Sequence, residues 1–122
     1  MARRIGVLTG GGDCPGLNAT LRALVRRGTV ELGLEFVGFK DAWRGVMERD
    51  HVPLDVRAVR GLLPRGGTVL GTSRDNPLYV DGGVDAVRDT VDRLGLEAMV
   101  VIGGEGSMAL SQKLHDEIGL DV

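Results

Sequence analysis

Ala98-Met99-Val100-Val101-Ile102-Gly103-Gly104-Glu105-Gly106-Ser107 is an apolar run that passes straight into a glycine cluster. Five consecutive apolar residues ended by glycine make this the strongest strand in the chain. Beyond the cluster, Met108 to Ile118 carries Leu110, Leu114 and Ile118 on one helical side, so a helix follows. Strand, glycine turn and helix in that order make up the ligand-binding end of an open α/β sheet.

The same order opens the chain. Arg4-Ile5-Gly6-Val7-Leu8-Thr9 reads as a second short buried strand and runs into Gly10-Gly11-Gly12-Asp13-Cys14-Pro15-Gly16. A helix is expected from about 16 to 32, with Pro15 in its first turn, Leu17, Leu21, Leu24, Val25 and Leu32 on one face, and Gly33 as its stop. Leu34 to Phe39 is a further strand. Asp41 to Leu54, which contains Trp43, has no resolvable period and leaves a hairpin open. A short helix or turn is expected around Val56 to Leu63, a short strand at Thr68-Val69-Leu70 and a loop over 71–79. Val84, Val87, Val91 and Leu94 mark an amphipathic helix ended by Gly95. The alternation predicts an α/β, Rossmann-like three-layer fold with a mainly parallel sheet and right-handed crossovers. Residues 1–122 are expected to form a single nucleotide-binding domain, and an incomplete one.

Composition narrows the partners. Fifteen basic against seventeen acidic residues give a net charge of −2, so no basic footprint points to nucleic acid or an anionic membrane, and any phosphate site is local. The lone Cys14 has no internal disulfide partner, no Cys/His spacing resembles a zinc site, and the apolar run after the basic N-terminus is too short for a signal peptide. No stretch is long enough to span a bilayer, and a reducing cytoplasm is the expected setting. Twenty glycines matter through their clustering, because glycine lets backbone approach a ligand closely.

At a strand-to-helix turn, unpaired N–H groups and the positive end of the helix dipole favour an anion, and glycine removes the side chains that would hold a phosphate away. Two such turns on one sheet edge suggest a polyphosphate. The first is neither a dinucleotide fingerprint, since Pro15 stands where the third glycine belongs, nor a Walker A loop, since no Gly-Lys-Ser/Thr follows. Taken alone it is also consistent with a plain tight turn, with Asp13 as a helix cap. In the second, Glu105 stands where phosphates would arrive, which suits a bridging Mg²⁺. A carboxylate that simply favours the helix N-terminus is the other reading.

Three motifs together resemble the phosphofructokinase family: Ile5 to Asn18, Arg65-Gly66-Gly67-Thr68 with Leu70-Gly71-Thr72-Ser73-Arg74, and Val101 to Ser107. The resemblance implies phosphoryl transfer to the 1-hydroxyl of fructose 6-phosphate, with Mg²⁺, by a cytoplasmic homotetramer of glycolysis. It implies that Gly12 lies against the donor phosphates, that Arg74 contacts them, that Gly104, Glu105, Gly106 and Ser107 hold the nucleotide, and that Glu105 takes the metal. Trp43 falls where the family often has an aromatic near adenine, and a flat ring could stack there; a core aromatic is the alternative. Gly106 bears on the donor, because pyrophosphate-using members resemble this motif with aspartate at that position; glycine favours ATP.

Arg22 and Arg26, four apart on one helix face, match residues of the family's allosteric nucleotide-diphosphate site, while a solvated basic face is the plain alternative. Val56 and Gly61 stand where the family has its next effector arginine and a nearby acid, so effector binding departs from the pattern. Glu105 replaces the more frequent aspartate, and Asp75 to Asp81 does not keep the family's aromatic and second arginine. The family's Thr-Ile-Asp-Asn-Asp segment, which holds the catalytic aspartate, falls beyond Val122. The expectation is therefore a donor half-site with no catalytic base, inactive as this chain alone. The alternatives are a pyrophosphate-dependent enzyme, a non-catalytic nucleotide- or phosphate-binding module, and an assembly fragment. An exposed apolar sheet edge predicts association.

Overall fold

The computed structural model describes residues 3–10 and 16–122. In chain order the elements are β1 (Arg4–Thr9), α1 (Leu17–Leu32), β2 (Glu35–Phe39), α2 (Trp43–Glu48), β3 (His51–Leu54), a 3₁₀ turn (Pro77–Tyr79), α3 (Gly83–Leu94), β4 (Leu96–Ile102) and α4 (Glu105–Ile118). The described strands form one four-stranded sheet in the order β3-β2-β1-β4. β1 pairs in parallel with β2 on one side and β4 on the other, while β3 returns antiparallel to β2. The sheet is thus mainly parallel, as the alternating pattern predicts.

Alternation along the strands builds two cores. Ile5, Val7 and Phe36 face one side, where Leu21 and Val25 of α1 and Leu62 and Leu70 of the following segment cover them. Leu8, Val37 and Phe39 face the other, against Val46 of α2, Val87 of α3 and Leu114 of α4. Val7 and Leu8 are both fully buried, so neither face of β1 meets water, which explains a continuous apolar run in place of an alternating one. α1, α3 and α4 each stop at a glycine in the left-handed region, at Gly33, Gly95 and Gly119.

One open segment is settled and two expectations change. Asp41 to Leu54, whose sequence shows no resolvable period, holds the short helix α2 and then β3, which pairs antiparallel with β2. Thr68-Val69-Leu70 forms no strand, because its bonds run to side chains and turns instead of a ladder. α4 starts at Glu105, three residues before Met108, so the second glycine cluster is already helical at Gly106 and Ser107.

Candidate phosphate site

From β1 the chain moves to β2 on one side of the sheet, and later to β4 on the other. This reversal opens a crevice at the carboxyl ends of β1 and β4, the place where open α/β sheets take ligands. Both glycine turns leave the sheet there. They touch: the Gly10 N–H donates to the Ile102 carbonyl at 2.8 Å. Ser107 is wedged against both, since a Cβ on Gly10 would lie 2.8 Å from its Oγ and one on Gly103 would lie 2.5 Å from it and 2.9 Å from the Gly10 carbonyl oxygen. Glycine at both positions permits this approach.

Gly104 caps α4 in an extended conformation with no side-chain cap bond. The first-turn N–H groups of a helix have no intrahelical acceptor, and with the dipole they make an anion site. A cleft of about 220 Å³ opens beside this turn, and Gly10, Trp43, Arg74, Gly106 and Ser107 all line it. Pockets for drug-sized ligands run from roughly 300 to 1,000 Å³, so this space suits a phosphate group or two better than a whole nucleotide. Of the larger grooves, those of about 660 and 440 Å³ are lined by none of the candidate phosphate-binding residues.

Arg74 is exposed and, among the described residues, has no hydrogen bond or ion pair, so its guanidinium is free for a ligand. Glu105 is the first residue of α4 and exposed, outside the cleft lining. No group of three or more His, Cys, Asp or Glu among the described residues could hold a metal ion. A single exposed carboxylate beside an anion-binding turn still fits Mg²⁺, which keeps several waters and takes one or two carboxylates together with substrate phosphates. Gly12 lies outside the described residues.

Trp43 lines the cleft but belongs to the core, with 3% of its surface exposed and its indole N–H lacking a partner among the described residues. So little exposure leaves no open ring face for a base to stack on. Arg22 and Arg26 share a separate groove of about 350 Å³ on α1 with Arg27. Arg27 pairs with Glu31 at 3.4 Å, while Arg22 and Arg26 have no acidic partner among the described residues.

Several residues that hold the site together are not marked as such by the sequence. Thr9, fully buried at the end of β1, donates to the Gly71 carbonyl at 2.9 Å and lies 2.7 Å from the Thr68 hydroxyl. The buried Asn18 amide donates to the carbonyls of Arg65 and Gly66, and its oxygen accepts the Val69 N–H at 2.7 Å. Ser73 donates to the Asp41 carbonyl at 2.7 Å. One signal was available for Asn18: asparagine is a poor helix former, yet it sits in a helical first turn, which points to a side chain bonded to backbone.

The fold is Rossmann-like α/β, and the cleft opens at the carboxyl ends of β1 and β4. The family model for phosphofructokinase matches residues 4–122, and the chain belongs to that family. It is 56% identical over 117 residues to a pyrophosphate–fructose 6-phosphate 1-phosphotransferase of Streptomyces coelicolor, covering 96% of this chain and 34% of that protein. It is also 51% identical over 113 residues to ATP-dependent 6-phosphofructokinase 3 of the same organism, covering 93% of this chain and 33% of the relative. The chain thus spans about a third of the length of these relatives. Among solved structures, a Pichia pastoris phosphofructokinase in the T-state superposes with a TM-score of 0.87 at 31% identity, over 96% of this chain and 14% of that one.

Proposed function

We propose that this chain carries the phosphoryl-donor side of a phosphofructokinase site, which binds Mg-ATP and, in the complete enzyme, serves transfer to fructose 6-phosphate. The observation that supports this most is the meeting of the two glycine turns at Ser107, with the unpaired Arg74 on the same cleft. Phosphoryl transfer is mostly positioning and charge neutralisation. In this reading the N–H groups at Gly104, Glu105, Gly106 and Ser107 and the free Arg74 guanidinium hold the donor phosphates, Gly12 lies against them, and Glu105 takes the metal. Bound Mg²⁺ would offset phosphate charge. Trp43 borders the donor as part of the cleft wall.

Further parts of the proposal rest on the family: a nucleotide-binding domain over residues 1–122, a cytoplasmic setting, a homo-oligomeric enzyme of glycolysis, and effector binding at Arg22 and Arg26. Among the described residues, no helix is long and apolar enough to cross a membrane.

Pyrophosphate as donor is the second reading, favoured by the 56% identical relative, a pyrophosphate–fructose 6-phosphate 1-phosphotransferase. Gly106 favours ATP, and a Cβ there would meet nothing within 4 Å, so Gly106→Asp can be introduced without a clash at Cβ. Calorimetric titration separates the donors. The expected result is Mg-ATP binding by the parent chain, weakened by roughly tenfold or more in Gly106→Asp through charge repulsion, and lost Mg²⁺ dependence in Glu105→Ala. Tighter pyrophosphate binding by the parent would reverse the donor assignment, and an unchanged Mg²⁺ dependence in Glu105→Ala would remove that residue's metal role.

A further inference from the structure

Residues 65–76 contain no helix or strand, yet their end carries the unpaired cation of the cleft. An arginine on a free loop would lose much side-chain and backbone entropy on binding. Arg74 is not on a free loop. The residue before it, Ser73, donates its hydroxyl proton to the Asp41 carbonyl at 2.7 Å. The residue after it, Asp75, pairs with Arg44 at 3.1 Å. The first tether runs to the turn that enters α2, and the second to Arg44 in the first turn of α2 itself. The entering turn also holds the loop's middle, where the Asp41 N–H donates to the Leu70 carbonyl at 2.9 Å and the Lys40 ammonium to the Val69 carbonyl at 3.3 Å.

The tethers differ in weight. Arg44 and Asp75 keep 53% and 36% of their side-chain surface exposed, and ion pairs in such surroundings contribute little. The Ser73 bond is part-buried and ends on a backbone carbonyl whose own residue is held in place through its N–H. We propose that Ser73 is a positioning residue, which fixes the backbone at Arg74 so that the guanidinium faces the cleft before a polyphosphate arrives. The inference rests on the phosphate reading of that cleft. Ser73 itself need not touch the ligand; it lowers the ordering cost of the residue that does.

The test is a double-mutant cycle on the full chain, titrated with Mg-ATP and separately with tripolyphosphate. Arg74→Ala is expected to weaken binding roughly 10- to 100-fold, the range for losing a charged hydrogen-bonding partner, and Ser73→Ala roughly 3- to 10-fold, the range for one neutral bond. Ser73→Thr, which keeps the hydroxyl, should restore most of the affinity. Because Ser73 acts through Arg74, the double variant should bind no more weakly than Arg74→Ala alone.

A Ser73→Ala penalty that persists in full beside Arg74→Ala would overturn the inference while leaving the phosphate site intact. So would parent-like affinity in Ser73→Ala when Arg74→Ala is impaired. A parent chain that binds neither ligand removes the phosphate reading itself, and with it the role of Ser73. If Ser73→Ala unfolds, Ser73→Thr decides: parent affinity supports the hydroxyl's role, and loss of affinity in a folded variant contradicts it.

Discussion

The turn into α4, residues 103–107, whose Gly106 and Ser107 line the cleft, and the loop side, residues 73–76, meet at the same space and are built differently. On the α4 side the groups that would meet a ligand are backbone, and their geometry follows from a strand ending and a helix starting. The loop side has no repeating structure, and hydrogen bonds to Asn18, Thr9 and Asp41 hold its approach, across 32 to 62 residues of sequence. One side is therefore sensitive to atoms added where backbones touch. The other is sensitive to polar groups removed, because a few side chains, Asn18 and Thr9 among them, supply the bonds that a repeating ladder supplies elsewhere.

The largest effect is expected from adding one methyl group to the α4 side. Gly103→Ala would place a Cβ 2.9 Å from the Gly10 carbonyl oxygen and 2.5 Å from Ser107 Oγ. The serine hydroxyl can rotate, but its Cβ, 2.8 Å away, and the Gly10 carbonyl, on the residue whose N–H bonds Ile102, cannot give way without shifting the contact between the two turns. Forced overpacking costs about 3 kcal/mol at its upper range, and polyphosphate binding should fall with it. Gly106→Ala, in open space on the same helix turn, should leave the unfolding midpoint unchanged or raise it, since alanine is the better helix former. Equal unfolding midpoints in denaturant for the two variants would break the comparison, because then steric approach is not what distinguishes this side.

The middle effect lies on the loop side. Asn18→Ala removes three hydrogen bonds and leaves the Arg65 and Gly66 carbonyls and the Val69 N–H without those partners. Water can reach part of this segment, where Val69 is 38% exposed, so the cost is set at about 2 kcal/mol rather than the sum of three full penalties. Amide exchange sharpens the point. The Val69 N–H should lose protection in Asn18→Ala while the Leu8 N–H, inside β1, keeps it. Loss spread evenly over both would mean that Asn18 supports the whole domain and not the loop.

The same contrast explains what could be read from the chain alone. α1 and α3 are long enough to show a period, β1 and β4 show as apolar runs that pass into glycine, and the boundaries of all four fall within two residues of expectation. α2 has six residues, fewer than two turns, so Trp43 to Glu48 cannot display a helical repeat. α4 begins early because a helix can start in glycine despite its poor propensity when the first turn carries Glu105, whose charge complements the dipole. The glycine turns were legible because strand, turn and helix are neighbours in sequence. The loop tethers were not, since nothing in Ser73 or Thr9 names a partner 32 or 62 residues away. Trp43 shows the limit of reading by type: an aromatic at a binding edge and one in the core look alike until burial is known.

The smallest effect concerns the turn that the loop is tethered to. Asp41 and Ala42 both have positive φ, 58° and 57°, and Ala42 combines this with ψ −132° at the start of α2. A side chain in such sparsely populated backbone regions costs about 1–3 kcal/mol. Ala42→Gly would relieve that cost. Against it stand the extra freedom of glycine in the unfolded chain, about 0.4–1 kcal/mol, and the loss of one buried methyl, about 0.8 kcal/mol. Relief exceeds loss by a small margin, so the expected outcome is a rise in Tm of roughly 2 °C, on the scale of a few degrees per kcal/mol for a domain this size. A fall in Tm would mean that the contacts of the buried Ala42 methyl, 1% exposed, outweigh the strain. The turn would then resemble the α4 side, fixed by packing around each atom, and the division between the two sides would run through residue 42 rather than between the loop and the helix.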